Sequence, residues 1–169
     1  MLTKGTSVFF RHPDTGAIVR LKRCTAFNPG SSPKTQIDET DLEETEAMQY
    51  TAGLGQPGQG SLAINADPNE PSHLILQEMA EGGSTPTIDW YVGWSDGPVD
   101  SDGKQTAEPT VAGEVVTLPE TRTWYTCRAY ASDFPFDFQL NANITVAGAL
   151  QRSGRGYWKP KTTPTPEGE

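Results

Sequence analysis

Two cysteines in 169 residues, Cys24 and Cys127, are too few for a disulfide scaffold or a four-thiolate zinc site. The two histidines, His12 and His73, stand far apart and show no metal-ligand spacing. Cations are scarce as well: 13 Lys and Arg against 22 Asp and Glu leave a formal charge of −9. A free nucleic-acid binder needs cations to displace the counterions around phosphates, so this balance argues against one. Long apolar runs are missing. The opening stretch offers only Val8 to Phe10, too short for the core of a signal peptide, and nothing approaches the ~20 residues of a membrane-spanning helix. The expectation is synthesis in a reducing cytoplasm, both thiols free and no membrane insertion.

What is present is turn chemistry. With 17 Gly, 14 Pro and only 34% hydrophobic residues, the composition suits short strands and turns rather than a helix bundle. The length suits one domain, residues 1–158, followed by a disordered tail, 159–169. Charge is unevenly placed. Lys4, Arg11, Arg20, Lys22 and Arg23 dominate the first 24 residues, whereas 38–46 hold Asp38, Glu39, Asp41, Glu43, Glu44 and Glu46 without a base. Such blocks are either solvated or paired, within one subunit or between identical ones.

Residues 17–24 read as a strand, with Val19 and Leu21 alternating against Arg20 and Lys22. Residues 26–60 then carry the acidic block, several Pro and Gly and few large apolar side chains. Such a segment buries too little to offset its ordering entropy, so it reads as a long loop, disordered in the monomer. A strand follows at 61–65. Residues 67–83 read as a helix, started by Asp67 or Glu70, with Pro68 or Pro71 in its first turn and Gly82 after its end. Its apolar face is Leu74, Ile75, Met79 and Leu76, which leaves His73 on its surface. The stretch "IDWYVGW" is a strand, and 114–118 and 122–131 are two more. Residues 136–146 alternate without a break, Phe136, Phe138, Leu140, Ala142, Ile144 and Val146 against Asp137, Gln139, Asn141, Asn143 and Thr145. That pattern predicts one long half-wet strand. The fold class is therefore mainly β, an antiparallel sandwich or partial barrel with one short flanking helix.

Chemical motifs fail on context. Gly53 to Gly58 spell GxGxxG, but an acidic loop precedes them, Pro57 interrupts them and no helix N-terminus follows, so no nucleotide site is expected. Counted from Asp38, the sixth position is Glu43 and the twelfth is Gln49, so the EF-hand pattern fails too. No nucleophile elbow or catalytic constellation emerges, and neither catalytic residue, cofactor nor metal is expected. Trp90, Trp94, Trp124, Tyr130 and Phe138 read as core or subunit interface.

In their order, these pieces resemble the major tail tube proteins of long, non-contractile phage tails. The carriers are the early strand, "IDETDLEETEAMQYTAGLGQPGQGSLAINADPNEPSHLILQEMAEGG", "IDWYVGWSDG" and "DFPFDFQLNANITVAGALQRSG". The resemblance implies a structural virion protein forming six-copy rings that stack into a tube. Its partners would be itself, the terminator, tape measure and distal tail proteins, and genomic DNA passing through without specific binding. It also implies that the long loop reaches a neighbouring subunit. Ile37, Leu42, Met48, Tyr50 and Leu54 are the expected anchors, and Asp38, Glu39, Asp41, Glu43 and Glu44 would face Arg20, Lys22, Arg23 or Arg152 across the joint. Asp89, Asp137, Gln139, Asn141 and Asn143 are the expected channel-facing residues, on a wet and weakly acidic strand face. The alternatives are a monomeric β-sandwich binding module, which predicts a ligand cleft, and a ring-forming terminator or baseplate protein, which predicts rings that do not elongate.

Overall fold

Hydrophobic segments too short to stand alone are joined here into one antiparallel sheet. The computed structural model describes residues 3–162. In chain order its elements are β1 (Ser7–Arg11), β2 (Ile18–Leu21), β3 (Cys24–Asn28), β4 (Lys34–Asp38), β5 (Tyr50–Gly55), β6 (Gln59–Asn65) and α1 (Pro71–Glu81). β7 (Ile88–Gly93), β8 (Thr110–Ala112), β9 (Val115–Thr117), β10 (Trp124–Asp133), β11 (Phe136–Asp137), β12 (Thr145–Arg152) and β13 (Tyr157–Lys159) complete them. The main sheet runs β2-β1-β7-β10-β12-β6-β3, with β11 paired to β12 and β13 to β10. β4–β5 and β8–β9 are separate two-stranded hairpins.

Its two edge strands, β2 and β3, are joined only by Lys22 and Arg23. A sheet whose opposite edges are two residues apart in sequence has to curl until they meet, which gives the expected partial barrel. Arg23 takes the left-handed conformation at this corner, with φ 54. Its carbonyl accepts from the Asn65 amide and its guanidinium pairs with Asp67 at 2.9 Å.

Inside the curl lie Val8, Phe10, Leu62, Ile64, Ile88, Trp90, Val146 and Leu150. Phe10 and Phe27 flank Trp90 with ring centroids 5.3 and 5.6 Å away, contacts worth roughly 0.5–1.5 kcal/mol each beyond their burial. The other face of β1, β7 and β10 holds a smaller cluster, Phe9, Tyr91 and Trp124, under Val116 and Leu118 of the β8–β9 region. β1 and β7 are thus covered on both sides, so the "IDWYVGW" alternation does not separate a dry face from a wet one.

The helix begins and ends as the capping residues predict, with Pro71 in its first turn, Glu70 at the N-cap and Gly82 at the C-cap. Leu76 and Met79 enter the core, while Leu74 stays exposed. His73 is buried rather than on the helix surface. Its Nδ1 accepts from the Asp67 amide at 3.1 Å, so its Nε2 is the donor to the Lys22 carbonyl at 2.9 Å. That imidazole ties the helix start to the β2–β3 corner.

Arg122 is the second internal tie. Its side chain is buried against the Trp124 ring and donates to the carbonyls of Trp94, Ala107, Gly5 and Gly93 and to the Ser7 hydroxyl. Burial pulls its pKa down to about 10, so it stays charged at neutral pH. The expected tail is docked where it begins. β13 lies on β10, the Lys161 amide donates to the Thr123 hydroxyl and the Thr162 amide to the Glu120 carbonyl. The rest of that tail, 163–169, lies outside the described residues.

Candidate functional site

The segment expected to be structureless is a β-hairpin. β4 and β5 pair in the registers Gln36↔Ala52, Ile37↔Thr51 and Asp38↔Tyr50. Hydropathy misses it because its order comes from polar bonds. Across the acidic tip the Glu39 amide donates to the Gln49 carbonyl at 2.9 Å, and the Gln49 amide to the Thr40 hydroxyl at 2.9 Å. The Thr51 hydroxyl bonds Glu39, and the Glu43 amide bonds Asp41. Thr40 donates to the Asp38 carboxylate from both hydroxyl and amide, which lowers the Asp38 pKa.

Two strands bury almost nothing by themselves. Ile37, Leu42, Met48, Tyr50 and Leu54 are all exposed, Leu54 by 87%. Asp38, Glu39, Asp41 and Glu43 are exposed beside them, and Glu44 is half-buried against Gln49. The structure therefore gathers all ten expected loop residues on one projecting element.

The hairpin is rooted firmly. Gly60 lies so close to Asn28 that a Cβ there would meet the Asn28 carbonyl oxygen at 2.4 Å. Gln151 donates to the Pro57 carbonyl at 3.0 Å, and Arg152 to the Gly30 carbonyl at 2.9 Å. Arg152 is buried, which corrects its expected place opposite the acids: it holds the hairpin root within the subunit. Arg20, Lys22 and Arg23 do line one open groove, along with Lys104. Each has a partner in the subunit, Arg20 with Glu108 at 2.8 Å and Lys22 with Glu70 at 3.3 Å, besides the Arg23–Asp67 pair.

The five expected channel residues do not share a strand. Asp89 lies on β7 and pairs with Arg128 at 3.2 Å. Residues 136–146 are not one strand but a fold-back. Phe136 pairs with Val146 and Asp137 with Thr145, around a turn in which Asn141 has φ 58 and the Ala142 amide donates to the Gln139 carbonyl. Gln139, Asn141 and Asn143 belong to that turn, and Gln139 donates to Asp137 at 2.7 Å. The turn also leaves Phe138 and Leu140 exposed, by 73% and 94%, next to Phe136 and Ile144.

A surface the sequence reading passed over lies on β6 and β12. Along the register Thr145↔Asn65, Ala147↔Ala63, Ala149↔Ser61 and Gln151↔Gln59, the side chains point away from the core. The register continues onto β3 through Ala26↔Ala63 and Asn28↔Ser61. None of these side chains carries a charge. The available signal was the pattern "QGSLAIN", in which each outward residue is small or amidic.

Among the described residues no group of three or more His, Cys, Asp or Glu could hold a metal ion. The GxGxxG glycines sit on β5 and just before β6, with no helix after them. Both cysteines are free, and burial pushes each thiol up to about 11. A thiol so shifted is a poor nucleophile at neutral pH.

A family model described as phage tail tube, TTP, lambda-like, matches residues 1–162. "Structural protein 3" of Pseudomonas phage PAJU2 is 34% identical over 165 residues, covering 95% of this chain and 94% of that protein. The SPP1 tail tube has a similar fold, with TM-score 0.62 and 10% identity over 96% of this chain and 81% of that one. So does a chain of the anti-feeding prophage baseplate, solved with six-fold symmetry, with TM-score 0.63 and 11% identity over 93% and 95%. With that match over nearly its whole length, the chain belongs to the lambda-like phage tail tube family, and its role is a structural one in the tail tube of a phage virion.

Proposed function

We propose that six copies close into a ring, that rings stack into the tube, and that the β4–β5 hairpin of each copy seats on a neighbour. The carrying observation is the hairpin itself. It projects from a fixed root, is apolar at five exposed positions and is acidic at its tip, and a single subunit gives it nothing to cover. The six-fold symmetry of the baseplate that shares the fold supports the ring number. The groove of Arg20, Lys22 and Arg23 suits the acidic tip. Of its present ion pairs, Arg20–Glu108 is exposed on both sides and worth roughly 0–1 kcal/mol, so exchanging it for a pair across a joint costs little. Lys22 and Arg23 can reach the tip and still cover the half-sheltered Glu70 and Asp67.

In this reading the subunit works by assembly and geometry, with no catalytic step and no cofactor. It is made in the host cytoplasm and meets terminator, tape measure and distal tail proteins at the ends and interior of the tube. Genomic DNA passes through the channel without specific binding.

Negative-stain microscopy of the concentrated pure protein tests the proposal, and uniform hollow filaments are expected. Single rings would favour a terminator, and scattered small particles a monomeric binding module. The joint is tested by Glu39→Lys, Asp41→Lys, Glu43→Lys and Glu44→Lys combined. With several pairs lost at up to about 1 kcal/mol each, the concentration needed for tube formation rises roughly tenfold or more, and the unfolding midpoint of the free subunit stays the same because the hairpin is separate from the main sheet. Unchanged tube assembly would refute the joint.

A further inference from the structure

Two surfaces of this subunit carry exposed large apolar side chains, and they stand at opposite ends of one strand pair. The β4–β5 hairpin leaves from the start of β6, where Gln151 and Arg152 hold its root at the end of β12. The fold-back 136–146 sits at the other end of the same pair, beside Asn65 and Thr145. Between them β6 spans seven residues, about 20 Å of extended chain.

The fold-back is built to present its rings. Phe134 is buried, Phe136 meets it edge-on at 5.5 Å, and Phe138 stacks on Phe136 at 6.0 Å. This ladder runs from core to surface, so its outer ring is already held and loses little freedom on being covered. Leu74 of α1 and Ile144 line the same apolar hollow. Asp67 closes one side of it, and that carboxylate is paired with Arg23. Arg23 in turn belongs to the groove of Arg20 and Lys22. This end of the molecule is therefore continuous, apolar at the fold-back and basic next to it. The hairpin carries matching chemistry in the same order. In the registers Asp38↔Tyr50 and Gln36↔Ala52, Tyr50 and Ala52 share a face that leads past Asp38 into the acidic tip. The Tyr50 hydroxyl reaches the Met48 sulfur at 3.0 Å, which extends the apolar stem toward that tip.

Resting on the assembly reading above, we infer that the fold-back 136–146, with Leu74 and the Arg23 corner, is the receptor for the hairpin of a second copy stacked head to tail. Within one subunit both surfaces stay exposed and do not satisfy each other. Joined between copies, they leave a free hairpin at one end and a free receptor at the other. The contact then adds copies along the stack without closing on itself.

A photoreactive benzoylphenylalanine in place of Phe138 tests the receptor, because it keeps an aromatic ring there and reports what covers it. Tubes are grown from an equal mixture of light and heavy-isotope subunits carrying the probe, irradiated and digested. A cross-link between copies then shows as a mixed-isotope peptide pair. The expected partner is segment 46–55 of another copy; cross-links to any other segment, to a second fold-back, or none between copies overturn the proposal. The same probe at Tyr50 reads the joint from the hairpin and must reach residues 66–77 or 134–144. A Tyr50 probe that cross-links elsewhere on another copy rejects this receptor and leaves the docking role of the hairpin standing. If neither probe-bearing protein assembles, Phe138→Asp and Tyr50→Lys are made singly and together. Each alone should raise the concentration needed for tubes about tenfold or more, and the pair should recover most of that loss. A pair no better than its worse member refutes the contact. A parent protein that never forms tubes defeats the assembly reading itself, a failure separable because no substitution is involved.

Discussion

Arg122→Met puts the internal framework to a quantitative test. Methionine keeps an apolar stem over Trp124 and removes the guanidinium, so the measured loss isolates the bonds to backbone. Those bonds hold residues from the chain start, the end of β7 and the 96–109 connection: Gly5, Gly93, Trp94 and Ala107. The carbonyls of Gly93 and Ala107 are bonded in fully buried geometry, and a buried acceptor left unpaired costs about 1–3 kcal/mol. Two such acceptors give roughly 2–6 kcal/mol, and relief from burying a charge trims this to about 2–4. For a domain of this size each kcal/mol moves Tm by about 2–4 °C, so a fall of roughly 5–15 °C is expected. The assay is thermal and urea unfolding of dilute, unassembled subunit, followed by circular dichroism. Arg122→Lys, with one ammonium for several acceptors, should fall between parent and Met. A Met variant within about 0.5 kcal/mol of the parent would mean these carbonyls reach water, and the framework role would be wrong.

His73→Ala removes the bond that ties the helix start to the β2–β3 corner together with the one from the Asp67 amide, and is expected to cost about 2–4 kcal/mol in the same unfolding assay; His73→Gln, able to keep one bond, should recover part of it. Gly60→Ala drives a Cβ into the Asn28 carbonyl and should destabilise by at least about 1–3 kcal/mol, read as a lower urea midpoint. The folded Cys127 thiol titrates at about 11 against 9.0 for the free group, so the folded state keeps a proton that the unfolded chain loses. Its contribution is complete below pH 9 and disappears as pH rises through about 11; a Cys127→Ala variant should therefore lose less stability than the parent across that window, and equal losses would contradict the burial.

Several elements were legible from sequence because their determinants are local. Pro71 and Gly82 bracket α1 where capping chemistry puts them, and "IDWYVGW" forms β7. The failures each have a physical origin. In 136–146 the paired residue numbers add to an even total, as in Phe136↔Val146. Odd and even positions then keep the same faces on both arms of a fold-back, so alternation cannot distinguish a hairpin from a straight strand. Hydropathy gave no sign of β4–β5 because amide and hydroxyl bonds, rather than burial, organise its tip. Residues Ser7–Phe10 of β1 are buried without a break, so no alternation marks them. Arg122 and His73 find their acceptors far along the chain, at Gly5 and Lys22, beyond the reach of any local pattern. The hairpin's candidate residues were legible as a group because they are contiguous. The β6 and β12 face was not, since its halves lie some eighty residues apart and meet only through pairing.

The neutrality of that β6–β12 face has a consequence for friction. A wall bearing fixed charge gathers an ionic atmosphere that must be rearranged at every step of a moving duplex, which ties transit speed to the surrounding electrolyte. A face of alanine, serine, threonine and carboxamide groups, with Asp133 and Asp137 only at its margin, collects little of that atmosphere. Whatever that face meets in the assembly is held or released with little regard to the surrounding electrolyte.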